Sequence, residues 1–337
     1  MENELISVVM PNYNTALPFL EEAVNSILTQ TYSNFEFIII DDCSTDESYA
    51  FLQSLTDPRI RLIRNEKNMG VTASLNKGFR LAKGAYIARM DSDDVSYPTR
   101  FERQLAFMTE NPDVIVCGTF AEEIGDSHSK RCKHIPNQKT YQCGVLFGNV
   151  YGLIHPTAFF RASELWKNHI CYDENIKTAQ DYAMWANCCR YGQIANVEEI
   201  LFNYRIHKSQ ISSAKKDVQK RCTMYTQKLQ LEHLFPQITD EMVEIHYQYC
   251  ISHHVTPDMR RWFQEILNAN DRERYVDQAA LHNFVKDFLI QKVLVEANCT
   301  HNSAKLFSLW IRATKQERRA LIHSIRNRIT RKVKNQK

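Results

Sequence analysis

Long apolar runs, C-x-x-C cysteine pairs and flexible composition are all missing from this sequence. No apolar stretch approaches the roughly 18–20 residues that cross a bilayer, so no transmembrane helix is expected. The opening MENELISVVM puts acids before a short apolar run, unlike a secretory signal. Glycine and proline number only nine each in 337 residues, which excludes a collagenous, linker-rich or low-complexity chain. Ten cysteines are present, yet no two form a C-x-x-C pair, and a chain this long needs no staples. They read as reduced thiols in a reducing compartment, without zinc-ligand spacing.

Apolar residues make up 44% and charged residues 24%, the balance of a globular protein able to bury a core. The length suits one large domain or two ordinary ones. The net charge of +3 hides a segregation. From Lys305 onward there are 11 Lys or Arg and one acid, Glu317, a balance of +10; residues 1–304 carry −7. A basic tail on an acidic body suits an anionic partner, either a membrane surface or nucleic acid.

The first hundred residues alternate strand and helix signals. Ile6–Met10, Phe35–Asp41, Arg59–Asn65 and Ala85–Asp91 read as strands. Pro18–Thr29, Tyr49–Leu55 and Val71–Ala82 read as helices. Ser44 or Thr45 is expected to cap the second helix, and Lys83-Gly84 to close the third. This alternation predicts an α/β fold with a parallel, doubly wound sheet. Pro98–Asn111 then reads as a helix and Val114–Phe120 as a strand. Residues 121–150 read as loops around short strands, Ser163–Lys167 as a helical turn, Gln180–Tyr191 as a helix and Ile194–Tyr204 as a strand. Beyond about Ser213 the signal is helical, with breaks at Pro236, Pro257 and Asn268–Asp271. The expected division is 1–212 and 213–337.

Three strand ends carry polar chemistry. RMDSDD, Arg89 to Asp94, crowds three acids that raise one another's pKa, a cost that a divalent cation removes. A solvated acidic turn is the plainer reading. Asp41-Asp42 ends the second strand; one acid can cap the next helix, and the other can accept from a base or ribose. PNYN, Pro11 to Asn14, follows the first strand. It is turn chemistry, or else Tyr13 stacks on a nucleobase. Open α/β sheets bind ligands beyond the carboxyl ends of their strands, where all three lie.

VVMPNYN, SILTQTYSNFEFIIIDDCSTDES, NMGVTASLNKGFRLAKGAYIARMDSDD and PTRFERQL together resemble the family 2 glycosyltransferases of the GT-A fold, over roughly residues 5–210. The resemblance implies a Rossmann-like, mostly parallel sheet flanked by helices, followed here by an all-helical C-terminal region. It implies an inverting transferase that takes a nucleotide-sugar, a UDP-sugar first among them. The acceptor would be a saccharide or lipid-linked saccharide of a polysaccharide or lipopolysaccharide chain. By the same resemblance Pro11, Tyr13 and Asp42 hold base and ribose. Asp91 and Asp93 are the D-x-D, with Asp93 on a Mn²⁺ or Mg²⁺ ion at the diphosphate and Asp94 orienting its neighbours. The general base falls on Asp181 in TAQDYAMWANCC, where Gln180 replaces the family's usual Glu. The plainer reading of Asp181 is an acid favoured by a helix N-terminus. HPTAFFR puts His155 near the acceptor side, or leaves it an ordinary loop histidine. NYRIHKSQIS offers Arg205 and His207 to the diphosphate. The Q-x-x-R-W signature of processive synthases is absent, which implies one sugar or few per encounter.

In the helical region His246, His253 and His254 lack a third ligand and read as ordinary helix residues. The tail 305–337 sets Leu306, Leu309, Trp310, Ala313, Leu321, Ile325, Ile329 and Val333 roughly on one helical side with Arg and Lys around them. That is a basic amphipathic pattern for an anionic membrane face, or a packing helix. No nucleic acid is expected, because charge alone leaves the apolar stripe without a purpose. The expected place is cytoplasmic, peripheral on the inner face of the cell membrane. Two alternatives stand beside the transferase: a catalytically silent GT-A domain acting as a membrane-associated assembly partner, hinted at by Gln180, and a nucleotidyltransferase, which would want a glycine-rich triphosphate loop that this sequence lacks.

Overall fold

A computed structural model describes residues 4–126, 128–131, 134–135, 137–149, 152–207, 216–299, 313–320 and 322. The chain divides into two compact units. The first is Met1–Val145 with Asn149–Thr226, and the second is Leu146–Gly148 with Gln227–Lys337.

The first unit is an α/β layer structure. Its elements run β1 Ile6–Asn12, α1 Leu17–Leu28, β2 Phe35–Asp41, α2 Ser48–Ser54, β3 Ile60–Arg64, α3 Val71–Leu81, β4 Tyr86–Arg89, β5 Val95–Ser96, α4 Arg100–Glu110, β6 Val114–Gly125, β7 Lys130–Arg131, α5 Gln138–Leu146, β8 Phe159–Arg161, α6 Ala162–Lys167, α7 Gln180–Cys188 and β9 Gln193–Ile206. Sheet order is β3-β2-β1-β4-β8-β6-β9-β5, with β7 paired to β6. β1 pairs in parallel with β2 and β4, and β2 with β3. β8 runs antiparallel between β4 and β6, so the sheet is mixed.

Both faces are covered, which is why these strands read as continuous apolar runs rather than as alternation. Val9, Ile38, Ile40, Ile87 and Phe160 pack under Leu75, Phe79, Tyr182 and Trp185. On the other face Val8, Met10, Phe37, Ile39 and Phe159 pack under Leu20, Val24, Ile27, Phe101 and Leu105. The β1–β2 register sets Asn12 opposite Asp41, so both polar strand ends reach one edge.

Four sequence expectations need correction. Gly84 does not close α3: the helix stops at Ala82 in extended backbone, and a Cβ on Gly84 would lie 2.5 Å from the Leu5 carbonyl and 2.6 Å from the Ser7 nitrogen. Its glycine serves close approach to β1, not a left-handed turn. Neither Ser44 nor Thr45 caps α2. Asp46 takes both the N–H and the hydroxyl of Ser48, while Ser44 turns back to Asn12 and the Asn14 N–H. Residues 121–150 hold the end of β6 and a full helix, α5. Its Gln138 and Gln142 donate to the Cys189 carbonyl, a tertiary demand that local sequence does not announce. There is also no break at Asn268–Asp271, as the second unit shows.

That second unit contains the C-terminal end of α8 Lys216–Leu231, then α9 Asp240–Ile251, α10 Pro257–Glu273 and α11 Gln278–Cys299. α10 runs through Asn270, which is buried and bonds to both backbone groups of Val276 beyond the helix end. Thr239 and Thr256 cap α9 and α10 by accepting the N–H groups of Met242 and Met259. Phe147 packs edge-on to Phe263 and tilted against Phe284 and Phe288. His246 is core: it accepts from Trp262 Nε1 at 3.0 Å and reaches the Leu146 carbonyl. His253 and His254 lie between α9 and α10, outside both helices. Of the tail, the described part tucks Ala313 and Glu317 into this unit, and Glu317 pairs with Arg260 at 2.8 Å. Residues 306–310, 321, 325, 329 and 333 lie outside the described residues.

Candidate active site

β4 ends at Arg89, and the chain turns through Asp91, Ser92, Asp93 and Asp94 before β5 pairs with β9. One carboxylate oxygen from each of the three acids falls within 4.8 Å of the others. Asp94 is buried; its Oδ1 accepts the Arg205 N–H at 2.7 Å, and its Oδ2 has no hydrogen-bond partner among the described residues. Burial, then the charges of Asp91 and Asp93, push its carboxyl well above the usual range. Burial also raises Asp91, against the pull of Arg89, whose guanidinium meets it at 2.7 and 3.0 Å. Asp93 faces His207 Nε2 at 2.8 Å, and its carbonyl accepts Arg205 Nε at 2.7 Å. Crowded carboxylates with an orphaned buried oxygen are a donor set for a hard divalent cation, which favours oxygen ligands and offsets their repulsion.

Arg205 thus contacts the protein more than open space. Beyond Asp93 and Asp94 it pairs with Glu22 of α1 and lies 4.3 Å over the Phe19 ring. Beneath the turn sits Arg100, fully buried, donating to the Arg89 carbonyl at 2.8 Å and to Gln104 at 2.9 Å. Burial pulls its guanidinium down to about 9.

At the neighbouring strand ends, Asn12 is buried and donates to Asp41 at 3.0 Å and to Ser44 and Ser48 at 3.2 Å. Pro11 is buried beside it, while the Tyr13 side chain is 48% exposed, free to lie against a ligand. Asp42 is buried and grips the loop after β3. Its Oδ1 accepts Asn65 Nδ2 at 2.7 Å and the Met69 N–H at 2.8 Å; Oδ2 accepts the Gly70 N–H at 2.7 Å. Asn14 and Cys43, which follow Tyr13 and Asp42, hold φ of +50° and +63°, and Ala179 before α7 holds +56°. Such backbone costs of order 1–3 kcal/mol each and gathers at functional sites.

Asp181 lies in the first turn of α7 and accepts the Tyr182 N–H at 2.9 Å. Burial raises its carboxyl, opposed by that bond and by the charge of Arg89. His155 is bonded to the Tyr172 hydroxyl at 2.8 Å and kept neutral, its pKa driven well down by burial and then by Arg89. Arg89, Asn12, Asn65 and Arg100 are the functional neighbours that sequence reasoning passed over. Arg89 stood in RMDSDD, Asn12 in PNYN and Arg100 in PTRFERQL, each without a role of its own; Asn65 carried no signal. A polar cleft of about 370 Å³ lined by Asp113, Gln138, Glu164 and Tyr191 lies at the opposite ends of β6 and β9 and takes no part in this site.

A family model described as Glycosyl transferase family 2 matches residues 7–168. An uncharacterized glycosyltransferase of Haemophilus influenzae is 32% identical over 257 residues, covering 69% of this chain and 78% of that protein. TuaG of Bacillus subtilis, a putative teichuronic acid biosynthesis glycosyltransferase, is 33% identical over 215 residues, covering 63% of this chain and 82% of its own length. Among solved structures, residues 1–349 of S. aureus TarS in complex with UDP-GlcNAc superpose with a TM-score of 0.59 at 17% identity, covering 87% of this chain and 91% of that one. At that identity the likeness concerns the fold, a GT-A-type core.

Proposed function

Because the chain belongs to glycosyl transferase family 2 and is therefore a glycosyltransferase, we propose that it moves a sugar, with inversion, from a UDP-sugar to a saccharide or lipid-linked saccharide acceptor in cell-surface glycan synthesis. The observation that carries this reading is the acidic turn after β4, with three carboxylates within 4.8 Å and the orphaned Asp94 oxygen. The UDP-GlcNAc complex of TarS and the teichuronic acid name of TuaG support the donor class and the pathway class.

Pro11, Tyr13 and Asp42 bind the base and ribose, Tyr13 by stacking its exposed ring. Asp91, Asp93 and His207 hold the diphosphate end, and Asp94 orients them through Arg205. A bound Mn²⁺ or Mg²⁺ would neutralise charge on the leaving diphosphate. Asp181 takes the proton of the acceptor hydroxyl as that oxygen bonds to the anomeric carbon and the carbon–phosphate oxygen bond breaks; the proton stays on Asp181 and the nucleoside diphosphate leaves with the electron pair. A carboxyl raised by burial is a stronger base than a solvated aspartate, which suits this step. This chemistry belongs to residues 1–212, and residues 213–337 serve docking. Among the described residues no helix is long and apolar enough to cross a membrane. The basic end of the chain holds the enzyme on an anionic leaflet.

The test is calorimetric titration of UDP and UDP-sugars with Mn²⁺ and with EDTA, followed by donor hydrolysis. Metal-dependent binding with hydrolysis supports the reading. Binding without turnover, even with acceptor present, would favour the silent assembly partner to which Gln180 points.

A further inference from the structure

Arg89 is 3% exposed; its backbone and both terminal nitrogens are held, while its buried Nε has no hydrogen-bond partner among the described residues. Its N–H donates to the Ala158 carbonyl at 2.8 Å, and its own carbonyl accepts Arg100 Nη2 at 2.8 Å. Arg100 is held in turn by Gln104, whose Nε2 donates to the Thr157 carbonyl at 2.9 Å. The guanidinium meets Asp91 at two points, Nη2 to Oδ1 at 2.7 Å and Nη1 to Oδ2 at 3.0 Å. Two parallel bonds from a planar fork fix both the distance and the plane of a carboxylate, which one ammonium group does not. They leave each Asp91 oxygen a further lone pair.

Two buried guanidinium groups at one turn are costly, because each leaves water and Arg100 has no carboxylate partner among the described residues. Apolar side chains would fill the same space without that penalty. The arrangement makes physical sense if the turn must hold Asp91 in one pose. We propose that Arg89 is a positioning residue for donor binding, fixing the Asp91 carboxylate in the place and plane from which it meets the cation on the diphosphate. This rests on the metal-assisted reading given above.

The experiment measures UDP affinity by calorimetry with Mn²⁺ and with EDTA, for wild type, Arg89→Lys, Asp91→Asn and the double variant. Arg89→Lys keeps the charge and loses the fork. The metal-dependent gain in affinity should fall roughly 10–100-fold, the usual effect of removing a group that orients a metal ligand. Binding in EDTA should stay as in wild type. On the Asp91→Asn background the lysine should cost no more than about twofold, since its effect runs through a carboxylate already removed. If Arg89→Lys leaves the metal-dependent gain intact, or costs its full factor on that background, Arg89 is only a structural residue. A wild type with no metal-dependent gain overturns the metal reading itself, a different result that takes this inference with it. Should Arg89→Lys fail to fold, Asp91→Glu decides: the longer acid against an unmoved fork should lose the metal-dependent gain, and wild-type Mn²⁺ behaviour there overturns the proposal.

Discussion

Asp94 accepts the backbone N–H of Arg205 at 2.7 Å, across 111 residues of chain. That bond ties the acidic turn after β4 to the end of β9, and Arg205 returns a second bond to the Asp93 carbonyl. The pose of the acids is therefore set by the far end of the sheet. Asp93 itself stands at the rim, partly exposed and bonded by its side chain to His207. Asp93→Asn should keep the fold, since an amide oxygen can still accept at that position, but should lose most metal-dependent turnover. Activity near wild type at saturating donor and Mn²⁺ would remove Asp93 from the metal site.

Asp181 gives a pH prediction with a definite sign. Its carboxyl is raised in the folded protein, chiefly by burial. A base must be ionised to act, so the acidic limb of the pH–rate profile should lie above the range of a free aspartate. Asp181→Asn should lower kcat roughly 10²–10⁴-fold and leave UDP affinity nearly unchanged. Stability should move the other way. A raised folded-state pKa favours the protonated form, so the ionised wild type is penalised at neutral pH and regains stability as pH falls through the raised value. The asparagine variant should melt higher than wild type at neutral pH, and the gap should close in acid. A gap that widens as pH falls would contradict the burial of this charge.

Asp42 predicts a local unlatching. Its two oxygens take the N–H groups of Met69 and Gly70 and the amide of Asn65, while Asn65 also accepts from Lys77 at 2.8 Å. Hydrogen bonds to a charged acceptor contribute about 1.5–3 kcal/mol each, and buried donors left unpaired cost similar amounts. In Asp42→Ala the Met69 and Gly70 amides should exchange with deuterium much faster than in wild type, and UDP should bind more weakly. Unchanged exchange at both amides would mean that the loop holds its own shape.

The strand ends were legible because each announces itself locally: a continuous apolar run that must be buried, then polar residues that stop it. Three such stops fall on one edge as soon as the sheet is parallel, so Tyr13, Asp42 and Asp91 could be named from the chain alone, whereas Asp181, in the first turn of α7, was named only by the family resemblance. What the chain withheld is what distant residues do to those groups. Nothing near Asp94 says that Arg205 will bond it. Nothing in TRFERQ says that Arg100 will be wholly buried and bonded to the Arg89 carbonyl. α5 escaped because its pattern of apolar residues is weak and its glutamines satisfy carbonyls some fifty residues away, at Cys189 and Gly192. Gly84 looked like a helix stop, a common use of glycine, and is instead the one residue small enough to pass the backbone of β1.

The tail calls for a more careful cut than its charge suggests. Residues 305–337 carry +10, and the sequence alone would license removing all of them to test membrane attachment. Glu317 is 2% exposed, however, pairs with Arg260 of α10 at 2.8 Å and accepts the Thr314 N–H at 2.6 Å, and Ala313 is buried beside it. Cutting at Ser303 would strip Arg260 of its partner and uncover that part of the helical unit, so lost vesicle binding would be confounded with lost stability. Residues 323–337 hold six Lys or Arg and no acid. Each is worth roughly 1 kcal/mol near an anionic leaflet, and the attraction is screened by salt. Truncation after Ile322 should therefore leave the melting temperature and turnover on a soluble acceptor unchanged. It should also weaken sedimentation with phosphatidylserine vesicles at low salt by at least tenfold, about 1.4 kcal/mol. Truncation after Ser303 should lower the melting temperature as well. If the protein cut at Ile322 binds such vesicles as the full chain does, the terminal basic segment is not the tether.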